Sequence, residues 1–266
     1  MSDAEIENVK VWYRIARRFS RRRGARIIPH PGPTPDANEP TGLGGKSGAL
    51  RAAIFGINDG LLTNLSLIMG VTGATVQNRF VIVAGVAGLL AGAFSMGAGE
   101  YVSMTAQREL FERLLHIEAH ELATEPEEEH EELQKIYEDR GFPPQLARQV
   151  TEIVMKDPKV ALQTHAREEL GLDPDELGSP WGAAISSFIM FGVGAMIPLL
   201  PFLVGSGTAA ALVAIAASAV SLFAVGAGMS LFTKRPMWWS GSRMLLVGAL
   251  AAGITFGVGR ALHVNV

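Results

Sequence analysis

Five separate runs of about twenty mostly apolar residues, near 50–72, 81–104, 181–204, 208–232 and 242–263, leave this chain very few possible folds. A helix rising 1.5 Å per residue needs about twenty residues to cross the ~30 Å hydrocarbon core of a bilayer. Lipid offers no partner to a free N–H or C=O, so segments of this kind cross as helices that satisfy their own backbone. The expected fold is an all-α membrane protein with five transmembrane helices. The 30 glycines fit that class, because small residues let helices approach closely where lipid supplies no hydrophobic drive between them.

Charge divides the chain more sharply than hydropathy does. Residues 107–177 hold 19 Asp or Glu against 8 Lys or Arg, whereas the remainder is net basic, and the total of −3 conceals the contrast. An acidic block repels phosphate backbones, so nucleic acid is not expected as a partner, while a basic remainder suits membrane lipid. Arg14 to Arg26, Lys46 and Arg51 precede the first span, and Lys234, Arg235 and Arg243 lie between the fourth and fifth. The positive-inside rule then places the N-terminus, the acidic insert and the fourth-to-fifth connection in the cytosol and the C-terminus outside, in a multi-pass membrane protein. Trp181, Trp238 and Trp239 fall at span ends, where aromatic anchors belong.

The expected organisation is an amphipathic basic segment over 1–27, a Pro/Gly linker over 28–49, spans one and two over 50–106, a cytosolic acidic helical domain over 107–178 and spans three to five over 179–266. Asp3, Glu5 and Glu7 ahead of the arginines argue against a secretory signal. In the second span, Gly88xxxGly92 serves either packing within one protomer or a dimer seam. That span is expected to continue unbroken to about residue 122. Thr124, with Pro126 and Glu127 behind it, is expected to open a helix ending near Arg140 and Gly141; Pro143-Pro144 opens another, and Asp157-Pro158 a last one that Gly171 stops.

The absence of cysteine removes disulfides and thiolate ligands, so a metal ion must be held by oxygen, nitrogen or thioether groups. Asp59 lies within the first span, about 13 Å from its start at 1.5 Å per residue, where a carboxylate is costly and marks a functional site. Met96 on the antiparallel second span lies about 12 Å deep, and Glu100 one turn nearer the cytosol. Carboxylate with thioether suits a borderline transition metal better than magnesium. In the insert, Glu118/Glu121 and Glu129/Glu132 form two ExxE pairs whose like charges share a helix face unless a cation lies between them. Glu168 and Glu169 can complete such a shell. His116 and His120 form an i, i+4 pair whose plainer reading is two solvated histidines.

FGINDGLLTNLSLIMGV in the first span, SMGAGEYVSMTAQRE at the end of the second, and GAMIPLLPFL and FAVGAGMSLFT in the later spans resemble the vacuolar iron transporter family over about residues 48–263. The resemblance implies a homodimer of five-span protomers that moves ferrous iron, often manganese, out of the cytosol in exchange for protons, with a cytosolic metal-binding domain after the second span. It implies Asp59, Met96 and Glu100 along the transport path, and Glu118, Glu121, Glu129, Glu132 and Glu169 as metal ligands. Ahead of Glu169 this chain has His165 and Ala166, which makes His165 a further candidate. The bound and carried ion is then Fe2+ or Mn2+, with no prosthetic group and no enzymatic activity. A second reading is a ferritin-like, membrane-anchored protein that oxidises or stores iron. That chemistry needs two ExxH motifs, and this chain has one, Glu127 to His130.

Overall fold

The computed structural model describes residues 44–175, 177–233 and 235–262; the amphipathic segment expected over 1–27, and the linker as far as residue 43, lie outside the described residues. Among the described residues eight helices follow one another: α1 Gly44–Ala74, α2 Asn78–Thr124, α3 Pro126–Asp139, α4 Pro144–Val154, α5 Pro158–Glu168, α6 Pro180–Val204, α7 Gly207–Thr233 and α8 Met237–Leu262. Five of them, α1, α2, α6, α7 and α8, are long and apolar enough to cross a membrane. The first is already helical at Gly44, the first described residue, so helix occupies residues 44–49 of the stretch expected as linker. The chain divides into two compact units, one formed by residues 44–109 and 178–262 and the other by residues 110–177.

In the apolar unit α1 is the central helix, packed against α6, α7 and α8. Leu61, Leu65, Ile68, Leu199, Phe202 and Leu222 form its core. Close approach of α1 and α6 rests on glycine: a Cβ on Gly194 would strike the backbone of Ile57 and Leu61, and one on Gly60 the backbone of Phe191. Buried Asn64 donates from Nδ2 to the Ala195 carbonyl at 2.6 Å, and Asn78 donates to the carbonyls of Phe202 at 3.0 Å and Gly205 at 3.2 Å. These bonds come from neighbouring helices to a segment of α6 interrupted by Pro198 and Pro201, neither of which can donate to the helix ladder. Gly88 abuts Asn64 and Leu67 of α1, and Gly92 abuts the Phe191 ring of α6. Of the two readings of Gly88xxxGly92, packing inside the protomer is the one these contacts satisfy.

In the acidic unit the expected breaks hold with one correction. Thr124 does not open α3; it ends α2, turning its hydroxyl back to the His120 carbonyl at 2.8 Å, and Glu125 takes the N-cap position without a side-chain cap bond. Glu127, Glu128 and Glu129 occupy the first turn of α3, where the helix dipole favours negative charge. Gly141 and Gly171 end α3 and α5 with φ of 97° and 66°, a region that favours glycine. Asp157 caps α5 by accepting from the backbone N–H of Lys159 at 2.9 Å and Val160 at 3.4 Å. Leu133, Ala147, Ala161 and Ala166 are buried here, and so, against ordinary expectation, are Glu118, Glu129 and His165.

Candidate metal centre

Three helices deliver the buried charges of the acidic unit to one place. Glu118 lies on the last turns of α2, Glu129 in the first turn of α3, and His165 near the end of α5, with Glu169 four residues on at its C-cap. One ligand atom from each of Glu118, Glu129, His165 and Glu169 falls within 4.8 Å of the others. His165 Nδ1 is 3.1 Å from Glu118 Oε1 and 3.3 Å from Glu129 Oε2, with the imidazole fully buried. These approaches are close enough for strong attraction but poorly aligned as hydrogen bonds. Glu118 Oε1, Glu129 Oε2 and both ring nitrogens of His165 are therefore buried without a hydrogen-bond partner.

Burial alone would lower the His165 pKa, but the close approach and negative charge of Glu118 and Glu129 prevail and raise it from 6.5 to about 9. Three carboxylates and one imidazole are a donor set that a divalent cation satisfies, since it neutralises the carboxylates and uses the orphaned lone pairs together. The residues present fit a metal ion on that ground.

The remaining candidates divide by helical register. Glu121 and Glu132 are half-buried and not among the four residues that converge. Three residues make 300° of a 3.6-residue turn, so the second carboxylate of each ExxE pair points about 60° away from the first. Glu168 is drawn off to an ion pair with Arg140, and His116 and His120 are exposed. His130, the histidine of the one ExxH motif, is likewise outside the convergent set, and Glu127 is exposed. Glu118 continues the spacing of Phe111 and Leu114, Glu129 precedes buried Leu133 by four, and His165 follows buried Ala161 by four.

In the apolar unit, Asp59 is exposed on the flank of α1, where the Thr63 hydroxyl donates to its Oδ1 at 3.3 Å. Met96 and Glu100 are half-buried one turn apart on α2, and Met96 packs on the cluster of Ala93, Phe191 and Ala195. Neighbours across the antiparallel pair, Gly48 with Met104, Asn64 with Gly88 and Ile68 with Gly85, fix the register. Met96 then stands about level with Gly56, so Asp59 lies roughly 4.5 Å deeper rather than at the same height. The order along the helices is Glu100, Met96, Asp59.

The sequence of this chain matches the profile of the VIT family over residues 50–260. A protein named vacuolar iron transporter from Acanthamoeba castellanii is 38% identical over 224 residues, which cover 81% of this chain and 79% of that relative. One of the same name from Toxoplasma gondii is 32% identical over 228 residues, covering 82% and 75%. Vacuolar iron transporter 1 of Oryza sativa subsp. japonica is 28% identical over 215 residues, covering 80% and 85%. The profile match takes in the five long apolar helices together with the acidic insert between the second and third of them, and the chain belongs to the vacuolar iron transporter (VIT) family.

Proposed function

We propose that this protein is a membrane transporter that exports ferrous iron, and manganese as a second cargo, from the cytosol in exchange for protons. The observation that carries the reading is the convergence of buried Glu118, Glu129 and His165, which hold side-chain atoms without a hydrogen-bond partner, with half-buried Glu169. In this reading the acidic unit is cytosolic and collects the ion, which then meets Glu100, Met96 and Asp59 in turn. Protons arriving from the far side neutralise the two carboxylates and release the metal, because a protonated carboxylate is a poor ligand.

The same reading includes a homodimer. Arg51, Phe55, Asp59, Thr63 and Leu67 recur every four residues as an exposed stripe on α1. A carboxylate on a lipid-facing stripe is costly, and a second copy laid over it would place two Asp59 side chains along one shared path.

The test is reconstitution of the full chain in vesicles carrying an internal pH dye, with Fe2+, Mn2+, Co2+, Ni2+ and Zn2+ supplied one at a time. Metal movement accompanied by opposite proton flux supports the exchange. Iron oxidation turnover without metal flux would instead favour the ferritin-like alternative.

A further inference from the structure

At the end of the apolar unit where α1 turns into α2, a cavity of about 590 Å³ opens between α1, the start of α2 and the end of α8. Leu67, Val71, Ala74, Phe80, Val258 and Leu262 line it. Its lining holds no charged side chain, and the hydroxyl of Thr255 is turned back to the carbonyls of Ala251 at 3.0 Å and Ala252 at 3.1 Å. A path for a divalent cation needs oxygen or nitrogen ligands aimed inward, so this cavity is not part of one.

Its dimensions are those of a lipid tail. The lining on α1 runs from Ser66 to Ala74, about 12 Å at 1.5 Å per residue, close to half of a ~30 Å hydrocarbon core. Two cations adjoin lining residues in the chain. Arg79 is exposed beside Phe80, with its guanidinium carbon 5.3 Å from that ring, and exposed Arg260 directly follows Gly259 of the lining. We propose that this groove binds one acyl chain of an anionic phospholipid, whose phosphate is held by Arg79 and Arg260.

The test uses delipidated full-length protein in detergent. The chain lacks cysteine, so Val258→Cys carries a single fluorophore at the groove wall. Phosphatidylglycerol with brominated acyl chains should quench that fluorophore saturably, and Arg79→Gln with Arg260→Gln should weaken the half-saturation point about tenfold. Brominated phosphatidylcholine should bind as weakly to the parent as phosphatidylglycerol does to the double variant. Native mass spectrometry should count one phosphatidylglycerol retained per protomer, and none after Val71→Trp. Equal quenching by the two lipids would overturn the phosphate contact. Disulfide-linked dimers formed through unlabelled Val258→Cys would overturn the lipid assignment and give the groove to a second copy.

Discussion

Binding of one divalent ion to the acidic unit should expel close to one proton at pH 7, and that proton should come from His165. The imidazole is fully buried between Glu118 and Glu129, whose charge outweighs the desolvation that would lower its pKa and holds it up to about 9. Two units below that value, about 99% of the metal-free protein carries the proton. A ring nitrogen must be neutral to ligate, so the ion displaces the proton and the logarithm of affinity should rise by about one per pH unit from pH 6 to 8, flattening near 9. Calorimetric titration of the full-length protein with Mn2+, in two buffers of different ionisation enthalpy, reads the proton count directly.

His165→Gln should bring the count to zero and weaken binding about 100-fold. Four-ligand structural zinc sites contribute roughly 10–16 kcal/mol, or about 3 kcal/mol per ligand if shared evenly, which sets the scale used for this loss. The same shift has a stability consequence whose sign is fixed. The native unit holds a proton that an unfolded imidazole, titrating near 6.5, releases, so this contribution is complete below pH 6.5 and is lost as pH rises through about 9. It amounts to roughly 3 kcal/mol, and the metal-free acidic unit should unfold more readily at pH 9.5 than at pH 6. Proton-free Mn2+ binding at pH 7, or an affinity unchanged between pH 6 and 8, would refute the placement of His165 among the ligands.

Asp59→Asn should remove metal flux in vesicles while leaving the detergent melting temperature unchanged, because its side chain is exposed and accepts only a long 3.3 Å hydrogen bond from Thr63. Asp157→Ala deletes the cap of α5 and should cost about 1 kcal/mol in denaturant unfolding of the acidic unit; as α5 carries His165 and Glu169, Mn2+ affinity should fall with it. Gly194→Leu should lower the melting temperature in detergent sharply, by more than the usual 1–3 kcal/mol of overpacking, since its Cβ meets backbone rather than a movable side chain.

The spans were legible because twenty apolar residues in a row admit one outcome in lipid, and the observed helices overrun the expected ones mainly at their ends. Proline and glycine carried most of the remaining information: Pro126, Pro144 and Pro158 each stand at the start of a helix, and Gly141 and Gly171 stand just past the end of one. Thr124 misled because a threonine hydroxyl can bond forward as a cap or backward to the preceding turn, and only the surrounding chain decides which. In the candidate site, the two ExxE pairs lie on the helices that converge, and one member of each pair, Glu118 and Glu129, is drawn into the four-residue cluster. Which member of each pair turns inward depends on where the apolar stripe of its helix runs, a property of the whole turn and not of the pair.

That distinction bears on whether the acidic unit selects its ion or only gathers it. Three carboxylates and one imidazole form a donor set of ordinary hardness, and divalent first-row ions bind such sets with affinity rising from manganese through iron towards zinc. A collector built this way retains zinc at least as firmly as iron. On the proposed reading, discrimination against zinc therefore has to arise where a different donor enters, at Met96 between Glu100 and Asp59. The two stages are separable by experiment: His165→Gln should weaken capture of every ion by a similar factor, whereas Met96→Leu should change the ratio of iron to zinc carried while leaving Mn2+ binding to the acidic unit untouched. A constant transport ratio in Met96→Leu would return the burden of selection to the four-residue centre.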